Sequence, residues 1–204
     1  MEIIPLNPSQ KKEAAGVCAR AFFNYPMMVH YLPDEGTRMK VLEWYLGGML
    51  NYALRYGLVE ATADLSGVAC WLPPDQTLLS TWRLLRSGFL VMPLKFGRKQ
   101  YRIAEKCDEY VTQIHKSLLP QPHWYLWSLT VDPPFQGKGV GEKLTRAGLE
   151  RVDRDGLPCY LETHLDRNVG YYQRFGFKVA KAAEIPGENL PFWAMIRPER
   201  GKHP

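Results

Sequence analysis

The 204-residue chain is poor in several features, and each shortage excludes something. Its four cysteines, Cys18, Cys70, Cys107 and Cys159, form no C-x-x-C pair and have no histidine at ligand spacing. That argues against a zinc site and against a disulfide framework. They read as small buried side chains in a reducing compartment, with a lone nucleophilic cysteine as the alternative. No metal is expected. The longest apolar stretch, around 87–96, falls far below the ~18 residues that a spanning helix needs. The opening M-E-I-I-P-L-N-P has neither the basic region nor the apolar core of a signal peptide. A net charge of +5 is too small to argue for nucleic acid by itself. There is no internal repeat and no low-complexity tract. The expectation is a cytoplasmic protein without a nucleic-acid or membrane partner.

What is present is an ordinary globular balance, 46% hydrophobic and 23% charged. A strand is expected at 2–6, then a helix capped by Ser9 with Ala14, Val17, Cys18, Ala21 and Phe22 on one face. Residues 27–33 read as irregular and aromatic. A second helix over 36–56 ends at Gly57, and 58–63 with 68–72 form a hairpin. Residues 75–122 change character. Trp82, Leu85 and Phe89 suggest one amphipathic helix broken by Pro93 and Gly97, and Tyr101 to Leu118 a second. Lys95, Arg98, Lys99, Arg102 and Lys106 make its start basic, either a solvated face or an anion-attracting rim. After a strand at 124–131 come a helix over 140–154, a strand at 158–163, a helix at 168–175 and strands at 177–182 and 192–196. The fold class is α+β, with a mixed sheet and a helical insertion between the early hairpin and the central strand.

The informative stretch is 128–144, S-L-T-V-D-P-P-F-Q-G-K-G-V-G-E-K-L. A strand meets two prolines, then a turn with Gly137, Gly139 and Gly141, then a helix. That layout aims several backbone N–H groups at one anion, and Lys138 adds positive charge. The P-loop spacing fails because no Ser or Thr follows Lys138, and the dinucleotide fingerprint fails because the glycines fall as G-x-G-x-G. The remaining readings are a pyrophosphate nest and a tightly packed helix entry.

Gln136-Gly137-Lys138-Gly139-Val140-Gly141, preceded by Val131-Asp132-Pro133, resembles the acyl-CoA motif [QR]-x-x-G-x-[GA] of the GCN5-related N-acetyltransferases (GNAT). A second block, Asn168-Val169-Gly170-Tyr171-Tyr172-Gln173-Arg174-Phe175-Gly176-Phe177, resembles the later segment of that family, N-x-x-x-Y-x-[KR]-x-G-F. The resemblance covers most of the chain, is thin across 75–122, and is most similar to puromycin N-acetyltransferase-like members.

That resemblance implies a splayed central sheet flanked by helices, one acetyltransferase domain over 1–204, and an acyl-CoA-binding core at 123–197. It implies acetyl-CoA as co-substrate, held by backbone at Leu129 and Val131, by Gln136, Gly137, Lys138, Gly139, Val140 and Gly141, and by Asn168. Tyr172 matches the tyrosine that protonates the leaving thiolate, with Tyr171 a competitor. Glu162 is a candidate base or a structural acceptor. His30 and Tyr31 are candidate walls for a small-molecule amine or a peptide. A homodimer and a catalytically silent acyl-CoA sensor stay open.

Overall fold

Runs of aliphatic and aromatic residues become seven strands in the computed structural model, which describes residues 1–199. They are β1 (Ile3–Pro5), β2 (Leu58–Thr62), β3 (Gly67–Leu72), β4 (Trp124–Val131), β5 (Cys159–Thr163), β6 (Lys178–Ile185) and β7 (Leu190–Arg197). They form one sheet in the order β1-β2-β3-β4-β5-β7-β6. The β4–β5 pair is parallel, and every other neighbouring pair is antiparallel. The expected α+β class and mixed sheet are those observed. Residues 200–204 of the expected domain lie outside the described residues.

Eight α-helices are described: α1 (Lys11–Phe22), α2 (Pro26–Tyr31), α3 (Glu35–Tyr56), α4 (Thr81–Arg86), α5 (Met92–Phe96), α6 (Arg98–Leu118), α7 (Val140–Asp155) and α8 (Asp166–Gln173). One core cluster joins α1, α3 and α6 to the sheet through Leu42, Tyr52, Ala104 and Phe192. A second joins α7 and α8 to it through Trp71, Leu144, Val152, Tyr172 and Phe177. Each fully buried aliphatic side chain there stabilises the fold by about 1.5–3 kcal/mol. Gly148 sets how closely α7 can approach. A Cβ at that position would lie 2.1 Å from the Trp71 ring, so the absence of a side chain lets the helix lie on β3.

The local readings need several corrections. Asn7, not Ser9, makes the N-terminal cap; its side chain accepts from the Ser9 N–H ahead of a 3-10 turn at Pro8–Gln10. Residues read as irregular form α2, because Pro26 opens a helix whose first N–H groups need no acceptor. The same rule explains the insertion. Pro93 stands in the first turn of α5 rather than ending a helix, and Gly88, at φ +110°, separates α4 from the turn at Phe89–Val91. Of Trp82, Leu85 and Phe89, only Phe89 is buried. Helix α8 begins at Asp166, and β6 runs on to Ile185. No described helix is long and apolar enough to cross a membrane.

Candidate active site

Strands β4 and β5 pair only at Trp124–Cys159 and Tyr125–Tyr160. Beyond Tyr125 the register stops, although β4 continues to Val131 and β5 to Thr163. The two strands therefore leave a gap at their C-terminal ends. Backbone direction in that gap is decided by a bulge. β3 pairs Trp71 with Leu126 and Cys70 with Ser128, so Trp127 is an extra residue. Trp124 donates its N–H to Pro158, on the β5 side, whereas Asp132 donates to Ser66, on the β3 side. Regular alternation would put both on one side; the bulge reverses it. Leu129 and Val131 consequently direct their backbone groups toward the gap.

The turn that ends β4 is pinned at both ends. Asp132 accepts two bonds from Arg20 of α1, at 2.9 and 2.6 Å. The amide nitrogen of Gln136 donates to the Val131 carbonyl at 3.1 Å. Gly137 and Gly139 have φ of +75° and +79°, a left-handed geometry that side chains resist, and no atom stands within 4 Å of where a Cβ would be. The first backbone bond closing α7 runs from Lys143 N–H to the Gly139 carbonyl. The N–H groups of Val140, Gly141 and Glu142 precede that bond and are free of helical acceptors. The Lys138 ammonium lies 5.5 Å from the Phe135 ring centre. The result is an open, donor-rich rim at the positive end of a 16-residue helix.

Glu162 lies on β5, and Tyr160 two residues before it faces the same way. The hydroxyl of Tyr125 donates to Glu162 Oε1 at 2.5 Å. Glu162 Oε2 and the fully buried Tyr160 hydroxyl lie near each other, yet neither has a partner in hydrogen-bond geometry. Burial raises Glu162 to about 7, and the two tyrosine hydroxyls act in the opposite sense. Asp108 of α6 contributes to that rise through its charge. Asp108 is itself raised to about 7 by the crowding of protein groups around its carboxylate, although the residue remains exposed to solvent, and the Tyr31 hydroxyl, donating to it at 3.3 Å, opposes the shift.

Tyr172 belongs to the core cluster on the other side of the sheet. Burial pushes its hydroxyl well above the ordinary tyrosine range, and Tyr25 and Tyr171 push the same way. Tyr171 is committed elsewhere: its hydroxyl is 2.9 Å from Thr145 Oγ1 on α7. At the end of β5, the Asn168 amide nitrogen donates to Thr163 Oγ1 at 3.0 Å, and the Tyr25 hydroxyl accepts from the His164 N–H at 2.8 Å.

The structure thus brings Leu129, Val131, Gln136 to Gly141, Glu162, Asn168 and Tyr172 around the two strands that part. His30 and Tyr31 stand differently. His30 is 2.8 Å from Glu188 between β6 and β7, and Tyr31 is fully buried and reaches the acidic group only through its hydroxyl. Sequence reasoning missed Arg20, Tyr25, Asp108 and Tyr125. Asp108 sits beside Cys107 on the amphipathic pattern of α6, a signal that marked the helix but not this side chain. All four cysteines are free and buried, and burial pushes Cys18 and Cys107 up to about 11 and Cys159 to about 12. None forms a thiolate nucleophile at neutral pH. Cavities of about 200 and 390 Å³ lie away from the gap, beside Arg174 and beside Pro120 respectively, and contain none of its residues.

Comparison with known proteins finds acetyltransferases that are similar in sequence or in fold. Residues 101–177 match the model of the Acetyltransferase (GNAT) family. An uncharacterized N-acetyltransferase of Schizosaccharomyces pombe is 27% identical over 195 residues, 91% of this chain and 78% of that protein. Among solved structures, a histone acetyltransferase HPA2 and related acetyltransferase from Corynebacterium glutamicum superposes with a TM-score of 0.68 at 19% identity, over 97% of this chain and 96% of that one. Arylalkylamine N-acetyltransferase 2 from Aedes aegypti gives 0.61 at 13% identity, over 96% and 97%. The family model thus matches part of the chain, the long relative is similar across most of it, and the solved acetyltransferases share its fold.

Proposed function

We propose that the protein transfers the acetyl group of acetyl-CoA to the amine of a small cationic molecule, by direct attack of the amine on the thioester. The observation that carries this reading is the β4–β5 gap, with the backbone of Leu129 and Val131 facing it and the glycine rim at its end. Acetyl-CoA is the co-substrate. The rim from Gly137 to Gly141 is suited to its pyrophosphate, and Leu129 and Val131 to its pantetheine arm. A backbone N–H there polarises the thioester carbonyl. Asn168 borders the same gap.

Glu162 takes the proton that the attacking amine loses. A base whose proton affinity is raised to about 7 is matched to that task near neutral pH. As the C–S bond breaks, Tyr172 gives its proton to the departing sulfur. Burial makes this hydroxyl a weaker acid than a free tyrosine, so its proton moves only as a thiolate develops in the same water-poor surroundings. Base and acid come from opposite faces of the sheet, so amine and thiol are handled on separate sides of the thioester. Asp108, whose charge is felt at Glu162, favours an ammonium-bearing acceptor over a neutral one.

An arylalkylamine N-acetyltransferase shares the fold, which puts small-molecule amines in the acceptor panel. The spread of sequence blocks most similar to puromycin N-acetyltransferase-like members puts puromycin in the first acceptor panel. The whole chain is read as one acetyltransferase domain working in the cytoplasm. Free-thiol release from acetyl-CoA is the test, with a panel of monoamines, diamines and amino-nucleosides. Amine-dependent thiol release, with acetylated product by mass spectrometry, is expected. Tight CoA binding without release across the panel would instead favour the silent sensor.

A further inference from the structure

The insertion keeps a group of large apolar side chains in solvent. Trp82 is 68% exposed, Leu90 70% and Leu94 85%, and Leu85 and Val91 are exposed beside them in sequence. The segment is nevertheless firmly held. Phe89 is buried against the rings of Trp44 and Tyr45, at 5.9 and 5.5 Å between centres, and Phe96 is buried against the same two rings at 6.5 and 5.5 Å. Asn51 donates to the Ser87 carbonyl at 3.3 Å, Arg55 to the Arg86 carbonyl at 3.1 Å, and Arg83 stacks 4.7 Å from the centre of the Tyr56 ring. With Phe89 and Phe96 as anchors, the intervening residues Leu90, Val91 and Leu94 project outward. Their exposure is a property of an anchored element.

The charge along the segment itself is of one sign. Between residues 76 and 104 the chain has no Asp or Glu, but it has Arg83, Arg86, Lys95, Arg98, Lys99 and Arg102. Two copies meeting through this surface would bring unpaired cations face to face as the apolar side chains became buried, which costs free energy. An anionic partner removes that conflict. Protruding Trp and Leu residues flanked by Lys and Arg match the region between lipid headgroups and acyl chains, where the rings and aliphatic groups leave water while the cations meet phosphates. We infer that the 82–102 segment is a docking surface for an anionic lipid bilayer, lying on the membrane without crossing it. This inference does not depend on the acetyl-transfer reading.

The experiment is sedimentation of the full chain with vesicles of phosphatidylcholine alone or mixed with phosphatidylserine. The wild-type chain should pellet with the mixed vesicles, only weakly with neutral ones, and less at roughly 0.5 M salt, where screening acts within a few Å. A blue shift of tryptophan emission should accompany binding and shrink in Trp82→Phe. The double variant Leu90→Asn, Leu94→Asn changes exposed positions, so it should fold with an unaltered circular dichroism spectrum. It should lose about tenfold or more in partitioning. No pelleting with mixed vesicles, or unchanged pelleting of a folded double variant, would overturn the inference. So would a wild-type dimer that the double variant dissociates, since the surface would then belong to a second copy. Binding to heparin or RNA that survives the double variant while vesicles fail to bind would assign the charge to a polyanion instead.

Discussion

Two regions meet at the β4–β5 gap, and they are built in different ways. Residues 124–141 make their side from backbone: a bulge at Trp127, a strand edge at Leu129 and Val131, and glycines at positive φ. Residues 20–31 and 98–118 make the opposing polar surroundings from side chains: Arg20 on Asp132, Tyr25 at the His164 N–H, and Tyr31 on Asp108. A backbone site tolerates few residue types but suits any ligand that carries the same phosphates and amides. A side-chain site can be altered one residue at a time. The donor side is thus expected to be rigid in its requirements, and the acceptor side to set selectivity.

The strongest way to break this contrast is at the rim. Gly139→Val places a branched side chain at φ +79°, where it is strained and covers the donors at the start of α7. CoA affinity by calorimetry should fall about 100-fold or more, the equivalent of losing one or two charge-assisted hydrogen bonds. The melting curve should remain cooperative.

Next comes Glu162→Gln, which should lower kcat/KM by about 10²–10⁴ while leaving CoA affinity unchanged. Wild-type kcat/KM should rise through pH about 7 as Glu162 loses its proton, and the variant should lack that limb. Stability carries a second signature. Glu162 binds its proton more tightly folded, about 7, than at its ordinary 4.5, so its contribution is present below pH 4.5 and is lost as pH rises through about 7. Denaturant titrations should show a flatter pH dependence in Glu162→Gln.

Tyr172→Phe should reduce kcat by roughly ten- to a hundredfold with little change in CoA affinity. Tyr171→Phe should stay close to wild type, because that hydroxyl is bound to Thr145. The smallest effect sharpens the acceptor side. Asp108→Asn should raise KM for cationic acceptors by about three- to tenfold with kcat nearly unchanged. Neutral amines should respond less.

The same contrast explains what could be read from the sequence. The glycine turn was legible because positive φ and close ligand approach demand glycine, whatever the rest of the chain does. The helix of α6 and the hairpin of β2 and β3 were legible from periodicity. The parting of β4 and β5 was not legible from periodicity, since it depends on a bulge and on where a parallel register stops; only the family resemblance suggested it. Asp108 could not be singled out because an acid on an amphipathic helix is ordinarily solvated, and only the tertiary position of Tyr31 and Glu162 gives it a role. Gly148, the glycine that seats α7 on Trp71, carries no signal of its own in the sequence, because a glycine within a helix shows nothing of what packs against it. Pro93 reads as a break because proline ends helices from within and opens them from the first turn, and the sequence does not say which end is meant.

The central claim is that the backbone of Leu129 and Val131 receives the co-substrate in the gap. Residue-resolved amide hydrogen exchange, with and without CoA, tests it most directly. Exchange should slow at Leu129, Val131 and the amides from Gly137 to Gly141 when CoA is added. CoA binding that leaves those amides unchanged, or protects only residues outside the gap, would contradict it.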